Sequence, residues 1–198
     1  MEEYRTKALN FRRFSSFGLA SGVVFWIVTV LSIVANPWFS LTKNAFSDLG
    51  ASGANAPWIY NYGLVVAGGV ALLYSVALMD WSTNKVEVAG SAFMFVAGIF
   101  LALIGIYPSG TRAHTFVSLW FFLQADLAIA SWGLGLIVAK KRLLGFLSVV
   151  FAILAPVGAE VVTWPSIAVL EAYGILAIMG WMVLISEFVT RKQLDVRL

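Results

Sequence analysis

The sequence predicts an all-α polytopic membrane protein, a bundle of six transmembrane helices with a short interfacial helix in the first outer loop. Six apolar runs, each long enough to cross a bilayer as a helix, are separated by short polar connectors. The chain of 198 residues is 61% hydrophobic and only 12% charged, too little polar surface to cover a soluble globule of this size. Because lipid-exposed backbone must form hydrogen bonds within its own segment, the runs are interpreted as helices.

The first apolar run follows a basic amino-terminal segment and covers about residues 14–34. It is too long for the core of a signal peptide, and no convincing small-residue cleavage site accompanies it. We therefore expect a retained first helix. Gly18 and Gly22 would give this helix a small-residue face on which another helix packs closely.

Capping residues and prolines delimit the later spans. Asn55 and Pro57 predict the start of the second helix, and Asn84 with Glu87 has the spacing of a capping box before the third. Pro156 is expected to bend the outer end of the fifth helix. The later spans are predicted at about residues 57–79, 85–106, 114–139, 143–161 and 165–190, all within one domain over residues 1–198.

Lys and Arg residues are distributed unequally between the two sides of this predicted bundle. All but two of the 13 lie in the termini and in the second and fourth connectors, whereas Lys43 and Arg112 lie on the other side. Because basic residues are retained on the cytoplasmic side, both termini are predicted to be cytoplasmic in a multi-pass protein of the cell membrane. The net charge of +3 is attributed to this topology, and nucleic acid is not an expected partner.

The longest connector covers about residues 35–56 and lies on the outer side. Its segment from Leu41 to Leu49 is predicted to form a short amphipathic helix at the membrane interface, with Gly50 as a left-handed stop. A connector of this length in a compact bundle is typical of functional loops.

Polar residues that a bilayer disfavours gather at the outer ends of the spans. A carboxylate or His at the centre of a lone helix costs about 2.5 to 3.5 kcal/mol on insertion scales, so such residues face protein, water or one another. This grouping predicts an outward-facing polar pocket. The candidate catalytic residues are His114, Asp48, Ser47, Glu160 and Glu171, and the candidate substrate-binding residues are Arg112, Asn61 and Ser118.

His114 is central to the chemical interpretation because imidazole takes up and releases protons near neutral pH. His114 is predicted to act as a general acid or base. The alternative is that it only caps the fourth helix at the membrane interface. A serine-hydrolase version uses Ser47 or Ser118 as the nucleophile and His114 as the base, with Asp48, Glu160 or Glu171 orienting the imidazole, but without the sequence of a nucleophile elbow. A version with a divalent ion uses His114 and the outer carboxylates as ligands, without a supporting spacing motif. No cofactor or metal is assigned, and the absence of Cys excludes thiolate chemistry.

Asp126 lies at a different depth in the predicted membrane from the candidate residues at the outer ends of the spans. It follows His114 by twelve residues, which places it about 18 Å further along the helix and near the middle of the membrane. It is also turned about 120° around the helix from His114, so the two are not expected to form one patch on that helix. Asp126 is interpreted as a protonated or hydrogen-bonded acid that joins helices, with a proton or ion site as the alternative.

Three short motifs stand at the outer ends of the predicted helices. They are Phe46-Ser47-Asp48-Leu49-Gly50, Asn61-Tyr62-Gly63, and Tyr107-Pro108 followed by His114. With these motifs the chain resembles, over nearly its whole length, a prokaryotic six-span family catalogued as domain of unknown function 998. Its Ser-Asp-x-Gly loop is also distantly similar to that of the Frag/DRAM/Sfk membrane proteins, which include a factor in remodelling GPI-anchor lipids. The resemblance implies that Ser47, Asp48, Asn61 and His114 carry the family pattern, and the eukaryotic relatives suggest handling of lipids or lipid anchors.

The resulting hypothesis is a membrane protein whose outward-facing pocket recognises or modifies a lipid head group. Membrane lipids are the expected partners, together with a protein partner or a second copy of the chain. In this hypothesis Arg112 contacts an anionic group and Asn61 positions the first loop. The alternatives are a non-enzymatic membrane scaffold or subunit of a larger complex and, third, a proton-linked transporter.

Overall fold

The computed structural model describes the backbone of residues 2–195 and the side chains of residues 17–186. Over this part of the chain there are six long helices, one short 3-10 helix and no strand. Each long helix contains an apolar stretch that can cross a membrane, which confirms the predicted all-α membrane architecture. The helices are α1 (Glu2–Ala35), α2 (Pro57–Trp81), α3 (Lys85–Ile106), α4 (His114–Val138), α5 (Arg142–Val161) and α6 (Ile167–Asp195), and the 3-10 helix is Phe46–Gly50.

The helices pack mainly against their neighbours in the chain. α2 contacts α1 and α3 extensively, α4 contacts α3 and α5, and α6 returns to α1 while touching α4 and α5 sparsely. The connectors define two ends of the bundle. We call the end with residues 36–56, 107–113 and 162–166 the loop end, and the opposite end the termini end.

Glycines bring the backbones of neighbouring helices together. A Cβ on Gly68 of α2 would lie 2.6 Å from the Gly98 carbonyl oxygen and 2.7 Å from the Ala102 nitrogen, both in α3. Gly133 of α4 and Gly145 of α5 face each other in the same manner, next to their short connector. Close backbone approach of this kind is a common basis of helix association in membranes. It joins α4 to α5 tightly near the termini end.

The first loop packs into the loop end of the bundle. Phe46 is 2% exposed and Leu49 is fully buried, and the Phe46 ring contacts Phe25 and Trp26 of α1 edge to face, with centroids 6.0 and 5.9 Å apart. Only Phe46–Gly50 is helical, a shorter segment than the one predicted from Leu41 onward. Aromatic burial therefore anchors this loop to the bundle.

The predicted left-handed stop at Gly50 is wrong, since positive φ angles in the described chain occur at Ala56, Lys140 and Gly110. Gly50 is instead a site of close approach, because a Cβ there would collide with the side-chain oxygen of Asn61.

The second helix begins at Pro57 as predicted, but its cap differs from the prediction. The residue before the helix is Ala56, which provides no side-chain cap, so the predicted cap at Asn55 is wrong. The backbone N–H of Asn55 donates to the side-chain oxygen of Asn36 at 2.7 Å, and this bond ties the loop to the end of α1. Asn84 caps α3 as predicted, accepting hydrogen bonds from two N–H groups of its first turn.

Candidate functional site

A cavity of about 640 Å³ lies between α4, α5 and α6. It exists because α4 and α5 are joined closely near the termini end, whereas α6 contacts both helices only sparsely. Its volume is within the range of about 300 to 1,000 Å³ that is usual for ligand sites. The lining residues are Ser47, His114, Thr115, Ser118, Leu119, Phe122, Leu123, Asp126, Ile129, Phe151, Ala155, Pro156, Ala159, Glu160, Ile167, Leu170, Glu171, Tyr173, Gly174, Ala177 and Ile178.

The polar lining is concentrated at the loop end. His114 opens α4, Glu160 is the penultimate residue of α5, and Glu171 lies in the second turn of α6. Ser47 adds a hydroxyl from the first loop. The elements that surround the cavity therefore bring together side chains that are far apart in the sequence.

The middle of the cavity wall is apolar and reaches the side of the bundle. Leu119 and Leu123 of α4 line the cavity, yet they are 65% and 41% exposed. They lie about 7 and 13 Å along the helix from His114. The cavity therefore opens sideways, onto a surface that the hydrocarbon of a bilayer would contact.

The predicted site residues, all within the described part of the chain, divide into two groups. Those that line the cavity are Ser47, His114, Ser118, Glu160 and Glu171, and those that lie outside its lining are Asp48, Arg112 and Asn61.

Asp48 and Asn61 hold the first loop. The Oδ2 atom of Asp48 accepts a hydrogen bond from the N–H of Ala45 at 2.9 Å, and its Oδ1 atom lies 3.5 Å from the donating hydroxyl of Ser109. The side-chain amide of Asn61 donates to the carbonyl of Gly50 at 3.0 Å. Both side chains thus act on the backbone around the 3-10 helix.

Glu171 contacts both the first loop and the cavity. Its Oε2 atom accepts a hydrogen bond from the backbone N–H of Phe46 at 2.7 Å, while the side chain lines the cavity. One turn earlier, the N–H of Ala168 donates to the carbonyl of Asn44 at 2.9 Å. The start of α6 is therefore bound directly to the first loop.

The imidazole of His114 is oriented by its own loop. Its Nδ1 atom lies 2.9 Å from the carbonyl oxygen of Tyr107. A carbonyl oxygen only accepts hydrogen bonds, so Nδ1 carries the proton and, in the neutral ring, Nε2 is the acceptor. This arrangement leaves Nε2 as the nitrogen that can exchange a proton with another group.

Ser47 is a buried residue whose hydroxyl lies at the cavity wall. The residue is 7% exposed and lines the cavity, and its hydroxyl makes no hydrogen bond to any side chain or backbone group within the described residues. Unlike the hydroxyl of Ser32, which is fully enclosed and also without a partner within the described residues, the hydroxyl of Ser47 is accessible from the cavity. This hydroxyl is therefore available to a polar group within the cavity.

The geometry does not support the hypothesis that His114 and the outer carboxylates bind a divalent ion. Within the side chains that the structure describes, no group of three or more His, Asp or Glu residues is arranged to hold a metal ion. One of the proposed ligands, Asp48, already binds the backbone of its own loop.

Asp126 lines the same cavity as His114, so the expectation that the two belong to separate patches is wrong. Ser118 and Phe122 connect them at intervals of four residues along α4, and each interval turns the stripe by about 40°. The cavity follows this turn because three helices bound it. Asp126 makes no hydrogen bond to the described residues, so the bonding that would join helices is not found there.

Tyr173 was not anticipated from the sequence. Its hydroxyl donates to the carbonyl of Ala155 at 3.0 Å, which connects α6 to α5 at the residue before Pro156. Its ring also contacts Trp164, with centroids 4.8 Å apart. A tyrosine within an apolar span was the signal that could have found it, since such a hydroxyl needs a partner.

Comparison with known proteins places the chain in a family. The family model described as "Protein of unknown function (DUF998)" matches residues 19–186, which extend from the first membrane span to the sixth. No curated protein and no solved structure is significantly similar to the chain. The resemblance to domain of unknown function 998 is therefore confirmed, while the similarity to the Frag/DRAM/Sfk proteins stays a prediction. The chain is a multi-pass membrane protein that belongs to the DUF998 family of unknown function.

Proposed function

We propose that this protein binds a membrane lipid, with the head group at the loop end of the cavity and an acyl chain along its apolar wall. The observation that carries the proposal is the continuity of one cavity from a polar end to an apolar wall that is open sideways. A lipid could enter through such an opening without leaving the bilayer.

The dimensions of the cavity support this proposal. Its lining on α4 extends from His114 to Ile129, a distance of about 22 Å at the helical rise. One leaflet, with its head-group region, contributes half of a bilayer that is about 40 to 45 Å thick. The depth therefore matches that of a single leaflet, and the polar end corresponds to the head-group level.

Five of the predicted site residues have a role in this proposal. Ser47 and Ser118 contact the head group, and His114 exchanges a proton with it through Nε2. Asp48 and Asn61 are positioning residues, because they hold the loop that carries Ser47. Modification of the head group, with Ser47 as the nucleophile and His114 taking its proton, would first require the two side chains to approach each other, because no hydrogen bond joins them in this structure.

We also propose that the loop end faces the outside of the cell and that both termini are cytoplasmic, as the Lys and Arg distribution indicates. The natural absence of Cys allows a direct test with single-cysteine variants in intact cells. An impermeant maleimide is expected to label Thr111→Cys at the loop end but not Asp80→Cys at the termini end. The reverse pattern would invert the orientation.

The lipid proposal is tested by blocking the cavity wall. Leu123→Trp introduces an indole into the lining, and Leu134→Trp is a matched control because Leu134 is 51% exposed on the same helix and lies outside the lining. Native mass spectrometry of the purified proteins would count retained lipids. We expect bound lipid on the wild type and on Leu134→Trp, and a loss of that lipid on Leu123→Trp. Equal occupancy in all three proteins would contradict the proposal.

A membrane scaffold is the second candidate function. It is favoured by Asp48 and Asn61, since two residues of the family pattern bind the first loop and lie outside the cavity lining. A wild-type protein that retains no lipid but co-purifies with a fixed protein partner would favour the scaffold.

A further inference from the structure

The charged groups in the cavity lining are all of one sign. Among the lining residues, which belong to the described part of the chain, the charged side chains are the carboxyl groups of Asp126, Glu160 and Glu171, without any Lys or Arg. A phosphate group binds most strongly to Arg, Lys or clustered N–H donors. Such a group would here meet carboxyl groups without a cation to offset them, which disfavours its binding.

The nearest basic residues do not compensate for these acids. Arg112 precedes His114 by two residues and Lys43 belongs to the first loop, but both are exposed and lie outside the lining. The sequence-based expectation that Arg112 contacts an anionic group of the ligand therefore finds no support in this geometry.

The loop end of the cavity instead offers hydrogen-bond acceptors. The Nε2 atom of His114 is an acceptor in the neutral ring, because Nδ1 donates to Tyr107. Glu171 has one carboxylate oxygen bound to the N–H of Phe46 and a second oxygen for another donor. The side chain of Ser47, 7% exposed and unpaired within the described chain, presents its hydroxyl to the cavity, which is a separate indication that a polar ligand group belongs at this position.

We infer that the bound lipid carries a protonated amine in its head group, placed at the loop end against Glu160 and Glu171, and that phosphate is not the group recognised. This inference rests on the proposed lipid-binding function and adds a ligand class to it. An ammonium group supplies three N–H donors and a positive charge, which match the acceptors and carboxyl groups of this end of the cavity.

Three amphiphiles with the same sixteen-carbon chain test the inference: hexadecylamine, hexadecanol and hexadecyl phosphate. Each is added to the full-length protein in a neutral detergent, and its occupancy is titrated by native mass spectrometry. A charge-assisted hydrogen bond is worth about 1.5 kcal/mol or more, so the amine is expected to bind at least about 10-fold more tightly than the alcohol. The phosphate is expected to bind most weakly.

The outcomes separate this inference from the proposed function. Binding of the alcohol or the phosphate at least as tight as that of the amine would overturn the amine inference and leave the lipid cavity intact. Binding of none of the three would overturn both.

Isosteric variants then test the placement of the amine. Glu160→Gln is expected to reduce the preference for amine over alcohol about 3-fold, because Glu160 is exposed and solvent screens its charge, whereas Asp80→Asn is the control because Asp80 is exposed near the end of α2 and outside the lining. Asp126→Asn is expected to have a smaller effect than Glu160→Gln. A larger loss with Asp126→Asn would place the amine at the deep end of the cavity and contradict the inference.

Discussion

The α2 and α5 helices are both apolar enough to span a membrane, yet 50% of the α2 stretch and only 17% of the α5 stretch is buried. The difference follows from what faces each helix. Gly68 brings the middle of α2 against the backbone of α3, whereas α5 has such a contact with α4 at Gly145, near its start, and further along the helix its Gly158 faces the side chain of Tyr173. In a bilayer, lipid is as apolar as a Leu side chain, so packing depends on close backbone approach rather than on hydrophobicity.

The contrast extends to the polar groups. Asn36, at the end of α1, is fully buried, and its amide donates to the carbonyls of Ser32 and Asn55 at 2.8 and 3.0 Å. Ser47, at the cavity wall, is also a buried residue, but its hydroxyl has no partner within the described residues. The Ser32 hydroxyl of α1 is likewise unpaired, yet it is fully enclosed, so what distinguishes Ser47 is that a ligand in the cavity can reach its hydroxyl.

The largest difference in stability is expected when an aromatic ring is removed from the packed first loop or from the cavity wall. Phe46→Ala removes a ring that is 2% exposed and is expected to lower the free energy of unfolding by about 3 to 5 kcal/mol. Phe122→Ala removes a half-buried ring beside an existing cavity and should cost about 2 kcal/mol or less, since less apolar area is lost. Thermal unfolding in detergent measures both losses. Equal decreases in Tm would mean that the two regions are packed alike.

Two adjacent glycines of α2 test whether close backbone contact stabilises the packing of α2 against α3. Gly68→Ala places a methyl group against the α3 backbone and is expected to cost about 1 to 3 kcal/mol. Gly69→Ala is the control, because nothing lies within 4 Å of the position that its new methyl group would occupy and Ala favours the helix by up to about 1 kcal/mol. The Tm is expected to fall for Gly68→Ala and to stay unchanged or rise for Gly69→Ala. A similar Tm for both would refute the proposed role of backbone contact.

The smallest effect is expected where α5 and α6 meet. Tyr173→Phe removes the hydrogen bond to the carbonyl of Ala155 and should reduce the free energy of unfolding by about 1 kcal/mol. Tyr62→Phe is the control, because Tyr62 is 69% exposed. The two Tm values are compared under the same conditions. A loss as large as that for Gly68→Ala would show that α5 and α6 are joined more firmly than their sparse contact indicates.

The site was only partly predictable from the sequence. His114, Glu160 and Glu171 could be grouped because topology places the ends of three helices at one membrane level. Asp126 was assigned to a separate patch because angles on a single helix do not reveal a cavity bounded by three. The roles of Asp48 and Asn61 depend on which backbone groups lie near them, and such contacts join residues that are distant in the chain.

The sequence by itself determined that the chain crosses the membrane as helices and which residues form the spans. Hydropathy, cap residues and basic connectors are local signals, and their effects add up over about 20 residues. The tertiary structure alone decided that α2 and α3 meet at Gly68 and Gly98, that Phe46 inserts into the bundle, and that α6 stands away from α4 and α5. These outcomes depend on which side chains meet across helices, a property that no single span contains.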